Sequence, residues 1–120
     1  MEASDALRKF VVSVLVPAKA QRIQSLIQTR RGQMKALDSL SHDLKSAVRA
    51  DLPTPERSSF WQLPCFLFRA PKTFGARWPS FEAAYEGLST EDSWLLISED
   101  GRFGVYRPEG RWDGERAFAA

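Results

Sequence analysis

The clearest pattern of apolar and polar positions lies between Trp94 and Arg107. Trp94-Leu95-Leu96-Ile97-Ser98 and Phe103-Gly104-Val105-Tyr106-Arg107 are rich in β-branched and aromatic residues, the composition of strands. Between them, Glu99-Asp100-Gly101-Arg102 contains Asp-Gly, which predicts a two-residue type I′ turn with both central residues at positive φ. That turn sets Leu96 opposite Val105, Leu95 opposite Tyr106 and Glu99 opposite Arg102. Side chains alternate across a strand, so Trp94, Leu96, Phe103 and Val105 share one face and Leu95, Ile97 and Tyr106 the other. Gly104 leaves room there for a neighbour. With apolar residues on both faces, the hairpin is expected to be covered on both sides.

Upstream, the apolar period changes from two to three or four. Leu7, Phe10, Val11 and Val14 recur at i, i+3, i+4 and i+7, which predicts a first helix with Ser4 or Asp5 as its cap. Pro17 suits the first turn of a second helix carrying Ile23, Leu26 and Ile27 to about Arg30, with Gly32 as its C-terminal stop. A third helix turns Met34, Leu37, Leu40 and Leu44 inward and is expected to bend near Ser41-His42-Asp43 before Val48 and Leu52.

Pro53 and Pro55, among polar neighbours, make residues 53–59 linker-like. Phe60 and Trp61 are apolar but lie too near Pro64 to be given an element. Pro64 to Phe68 predicts a strand, and Arg69 to Trp78, with Pro71 and Gly75, a loop. Pro79-Ser80 opens a short helix with Phe81, Ala84, Tyr85 and Leu88 on one side. After the hairpin, Pro108 to Gly114 is turn-rich, and Arg116 to Ala120 offers a short edge strand. The predicted fold class is α+β: about three helices, then a strand-helix-hairpin unit forming a three- or four-stranded sheet. The whole is read as one domain, 1–120, with a helical half at 1–52 and a sheet half at 60–120.

Composition narrows the function. A length of 120 residues suffices for one hydrophobic core. Cys65 and His42 are each the sole residue of their type, so one chain cannot supply a Cys/His zinc site and no cofactor or metal is expected. The net charge of +2 is uneven: residues 1–52 hold nine Lys/Arg against five Asp/Glu, and residues 53–120 hold eight against ten. Arg8-Lys9, the apolar run from Phe10 to Val16 and Ala18-Lys19-Ala20 mimic a signal peptide, but helical periodicity continues past the apparent cleavage point. No stretch approaches the ~20 apolar residues of a membrane span, and a single cysteine, which allows no intrachain disulfide, makes a reducing cytosol the expectation.

The spacing Phe10-Val11, Val14-Leu15-Val16-Pro17-Ala18-Lys19 and Arg22, followed by Arg31-Gly32 and Leu40-Ser41-His42, resembles that of a group of small, mostly uncharacterised bacterial proteins opening with F-V-x-x-x-L-V-P-x-K-x-x-R. Cys65-Phe66-Leu67-Phe68 and Gly101-Arg102-Phe103-Gly104-Val105-Tyr106 before Glu109-Gly110 are similar too, so the resemblance spans most of the chain. It implies a single bacterial cytoplasmic domain and brings no activity with it. Where those proteins carry an acidic segment after the Cys strand, this chain has the basic Arg69-Ala70-Pro71-Lys72-Thr73.

Candidate chemistry is sparse. Cys65 lies in an apolar strand, where a thiol behaves as a small buried hydrophobe. His42 has Asp43 beside it, but adjacent residues on a helix do not face each other. Glu82 and Glu86 belong to a solvated helix face, Glu91-Asp92 and Glu99-Asp100 to turns, and the glycines form no phosphate cradle. The basic set Arg22, Arg30, Arg31 and Lys35, with Lys45 and Arg49, sits where two helices meet in the outline of a helix-turn-helix, with a poor set of residues for reading base edges. Phe74, Trp78 and Trp112 stand in Gly/Pro-rich segments beside Arg77 and Arg111, and Arg and Trp on loops are common anchors of recognition surfaces. The expectation is therefore a non-catalytic module that binds another protein or itself through Phe74, Arg77, Trp78, Arg111 and Trp112. Nucleic-acid binding through Arg22, Arg30, Arg31 and Lys35 is the alternative, and a small enzyme without a recognisable motif the third reading.

Overall fold

The computed structural model describes residues 2–70, 72–88, 93–108 and 115–119. Three helices open the chain: α1 (Ala3–Val14), α2 (Pro17–Ile27) and α3 (Arg30–Ser46). The stripe expected for α1 is the buried one, Leu7, Phe10, Val11 and Val14, joined by Ala6. Its N-cap is Glu2, which makes no side-chain cap, rather than Ser4 or Asp5. At its other end the Arg49 guanidinium donates to the carbonyls of Leu15 and Val12 at 3.0 and 3.1 Å, supplying partners to acceptors that the helix end leaves open. A bridge between Leu15 and Val48 holds Arg49 in place.

The α2–α3 junction differs from the sequence reading. Helix α2 ends at Ile27, and Thr29 caps α3 by accepting from the Gly32 N–H at 2.9 Å. Gly32 is thus in the first turn of α3, not the stop of α2. The end of α2 crosses so closely there that a Cβ on Gly32 would fall onto the Leu26 carbonyl. Arg30 and Arg31 accordingly stand at the positive end of the α3 dipole, where a cation is disfavoured, and not at the favourable C-terminal end of α2. Helix α3 runs on through Ser41-His42-Asp43 to Ser46.

The second half is a five-stranded antiparallel sheet in the order β2-β1-β3-β4-β5, one strand more than the upper expectation. Its strands are β1 (Cys65–Arg69), β2 (Thr73–Trp78), β3 (Trp94–Ser98), β4 (Phe103–Arg107) and β5 (Arg116–Ala119), with α4 (Phe81–Glu86) between β2 and β3. The β3–β4 register is Leu95↔Tyr106, Leu96↔Val105 and Ile97↔Gly104, as the Asp-Gly position implies. The turn itself is not type I′. Gly101 alone has positive φ, at 76°, and its N–H closes on the Ser98 carbonyl at 2.8 Å. The Asp100 carboxylate instead holds the turn from its side chain, accepting from Ser98 Oγ at 2.7 Å and the Arg102 N–H at 3.0 Å. Burial alone would raise the Asp100 pKa. Those hydrogen bonds, with the charges of Arg102 and Lys9, bring it below the ordinary aspartate value instead.

Strand β2 occupies the segment read as a loop. Phe68 pairs with Phe74 and Leu67 with Ala76, so Gly75, at φ 80°, is the extra residue of a bulge. The bulge changes which faces the strand's side chains take: Phe74 joins the helical layer against Phe68 (ring centroids 5.1 Å), whereas Trp78 turns to the opposite layer.

Both sheet faces are covered. On one, Phe66, Phe68, Leu95, Ile97, Tyr106 and Phe118 pack under α1, α2 and α3. Gly104 leaves the room expected of it, and Phe10 fills it; a Cβ there would fall onto the ring. The Tyr106 hydroxyl ties the hairpin to α3 by donating to the Ser41 carbonyl at 2.8 Å. On the other face, Cys65, Leu67, Trp94, Leu96 and Val105 lie beneath Phe81 and Ala84 of α4 and beneath Phe60. Ser80 caps α4 through the Ala83 N–H at 3.1 Å, and the Leu63 and Trp61 carbonyls accept from the next free N–H groups, those of Phe81 and Glu82, at 3.1 Å each. Residues 60–63 are thereby fixed to the helix they precede.

Candidate functional site

The sheet end at which β1 begins and β3 ends carries a groove of about 320 Å³ lined by Leu63, Pro64, Ser98, Glu99 and Asp100. Its placement follows from the pairing: Cys65 lies between Ser98 and Trp78, and the Pro64 carbonyl accepts from the Glu99 N–H at 3.0 Å. Leu63 is 36 % exposed at the groove, on a segment tied by backbone hydrogen bonds to the start of α4. From the edge strand, Arg77 reaches Glu99 at 3.0 Å and forms a charged rim. The groove therefore has an apolar floor beside two carboxylates, Glu99 paired with Arg77 and Asp100 bonded through one oxygen to Ser98 and the Arg102 N–H.

A second cleft, about 440 Å³, opens between α3 and the far end of the sheet, with Leu37, Ser41, Phe68, Arg69, Ser93 and Tyr106 in its wall. Tyr106 and Ser41 are engaged with each other there, so their polar atoms tie the two layers together. On the face of α4, Glu115 gathers Arg57 (2.9 Å), Arg107 (3.1 Å) and the Tyr85 hydroxyl (2.6 Å). Arg57 also lies over the Trp61 ring at 4.3 Å and the Tyr85 ring at 5.0 Å. This Arg–aromatic cluster satisfies itself and anchors the start of β5 to α4. No short motif announces it, because its members are spread from residue 57 to residue 115.

Of the residues singled out in the sequence, Arg77 is exposed at the groove, and Trp78 is half-buried on the other side of the strand, near Gly87. Phe74 packs with the helices, so the structure does not bring it to Trp78. Arg111 and Trp112 lie outside the described residues. The strand ends flanking them, Arg107 and Arg116, are at the end of the sheet opposite Trp78. Arg22, Arg30, Arg31 and Lys35 are all exposed on the helical layer, as are Lys45 and His42. Arg49 belongs to the α1 cap.

Nucleophilic chemistry at Cys65 is disfavoured by its surroundings. The side chain is fully buried, and burial pushes the thiol up to about 12. Iodoacetamide at pH ~8 is expected to label Cys65 only as fast as the chain unfolds. Rapid alkylation of the folded protein would show that the strand is open. His42 and the buried Asp43 point to different surroundings, as their adjacency on a helix requires. Among the described residues, no three His, Cys, Asp or Glu converge as metal ligands, and no helix is long and apolar enough to cross a membrane. No family model, curated protein or solved structure matches the chain.

Proposed function

We propose that this chain is a non-catalytic module that binds another protein through the groove at the β1 end of the sheet. The supporting observation is Leu63, held exposed on a fixed segment above Pro64 and beside Glu99 and Asp100. An apolar floor edged by carboxylates suits a partner segment that places an aliphatic or aromatic side chain next to a Lys or Arg. Arg77 sets the selectivity. Its pairing with Glu99 leaves the second oxygen of Asp100, whose Oδ1 holds the turn, to meet the incoming cation, and its own charge turns away a second basic residue on that side.

The test is a displayed library of short peptides panned on the intact chain. Enriched sequences are expected to carry an apolar residue adjacent to Lys or Arg, and Leu63→Asp is expected to weaken them by about tenfold or more with little change in melting temperature. If nothing is enriched, or if the enriched peptides bind Leu63→Asp as well as the parent, the groove is not a binding site.

A further inference from the structure

On the sheet side, Arg57, Arg77 and Arg107 are each held by Glu115 or Glu99. On the helical layer Arg22, Arg30, Arg31, Lys35 and Lys45 are exposed and form no ion pair or hydrogen bond from their side chains among the described residues. Along α3, Arg31, Lys35, Asp38, His42 and Lys45 recur at three- or four-residue steps and make one exposed stripe. From Arg31 to Lys45 that stripe extends about 21 Å at the rise of an α-helix. Arg22 on α2 and Arg30 at the α2–α3 corner are exposed as well, so five cations on these two helices face solvent with Asp38 as their one exposed acid.

We infer that the outer face of α2 and α3 binds the phosphate backbone of double-stranded nucleic acid without reading its sequence, a role separate from the groove. Charge calls for a polyanion, and the rest of the surface selects among polyanions. The most exposed large apolar side chains among the described residues are Val12, Val16 and Leu63, none of them in α2 or α3, where Leu26 and Met34 are half-buried. The face thus lacks the buried anchor that a protein interface uses and the apolar wedge that a membrane surface takes. It also carries no Phe, Tyr or Trp ring, the platforms on which unpaired bases stack best, and His42 is its single small ring, which disfavours single strands. What it offers is guanidinium, ammonium, and the exposed polar groups of Gln21, Ser25, Gln28 and Thr29, the donors that phosphate oxygens accept.

Fluorescence anisotropy of a labelled mixed-sequence DNA duplex of about 20 base pairs, titrated with the full chain across a salt series, tests this. If three of the five cations meet phosphates, affinity is expected to fall about forty-fold between 50 and 200 mM salt. The variant carrying Arg22→Glu, Arg31→Glu and Lys35→Glu should lose at least about tenfold at low salt while keeping its helical circular dichroism. Lys35→Glu with Lys45→Glu serves as a second variant should the first lose helix. Polyglutamate, a single strand of the same length and vesicles containing phosphatidylserine are run alongside. Absence of duplex binding at low salt, an affinity indifferent to salt, or a folded charge-reversal variant that binds like the parent overturns the inference. So does polyglutamate, the single strand or the vesicles binding as tightly as the duplex.

Discussion

Replacing Phe60 with alanine is expected to destabilise the fold by about 3–5 kcal/mol, the range for deleting a buried phenyl ring. Phe60 is 1 % exposed and touches three other aromatic rings. It meets Phe81 edge-on at 5.0 Å, stacks on Phe103 at 5.4 Å and lies 6.2 Å from Trp61. Those partners come from α4, β4 and the segment before β1, so one ring joins three separate pieces of the second sheet face. Neighbours fixed by backbone hydrogen bonds, as Trp61 and Leu63 are, cannot collapse into the space left. Urea unfolding of Phe60→Ala against the parent measures the loss; a change below about 1 kcal/mol would mean that the ring is not a keystone of this layer.

Gly101→Val is the second large effect, with an expected loss of about 2–4 kcal/mol. Two causes add. A β-branched residue resists the φ of 76° that Gly101 adopts. A Cβ there would also lie 2.9 Å from the Ala6 carbonyl oxygen and 3.0 Å from Lys9 Cβ, because the turn presses against α1. Gly101→Asn separates the causes, since asparagine accepts positive φ but still meets α1, and it should fall between the parent and the valine variant. A denaturation midpoint for Gly101→Val equal to the parent's would show that the turn neither needs positive φ nor touches the helix.

How far the site was legible in the sequence depends on how many parts of the chain it draws on. Arg77 stood out because it adjoins Trp78. Leu63 and Glu99 did not, although the groove is built of them, because it exists only where the ends of β1, β2 and β3 converge. Pairing Phe74 with Trp78 failed for a local reason with a tertiary cause. The Gly75 bulge, formed only when β2 meets β1, sends the two rings to opposite layers.

What the sequence by itself determined is what a short period can encode. The apolar stripes of α1 and α3, the Ser80 cap of α4, and the register and two faces of β3–β4 follow from spacings of two, three or four residues and from Asp-Gly. Contacts between distant segments decided the rest. Strand β2, with Pro71 before it and Gly75 inside it, has little strand signal of its own and is held by hydrogen bonds to β1. Gly32 carries the signature of a helix stop but serves as a crossing point, because the Leu26 carbonyl occupies the space a side chain would need. Phe60 has no periodic neighbours and becomes the centre of a layer assembled from α4, β4 and its own loop. Periodicity shows which face of an element must be buried; what buries it is settled only when the layers meet.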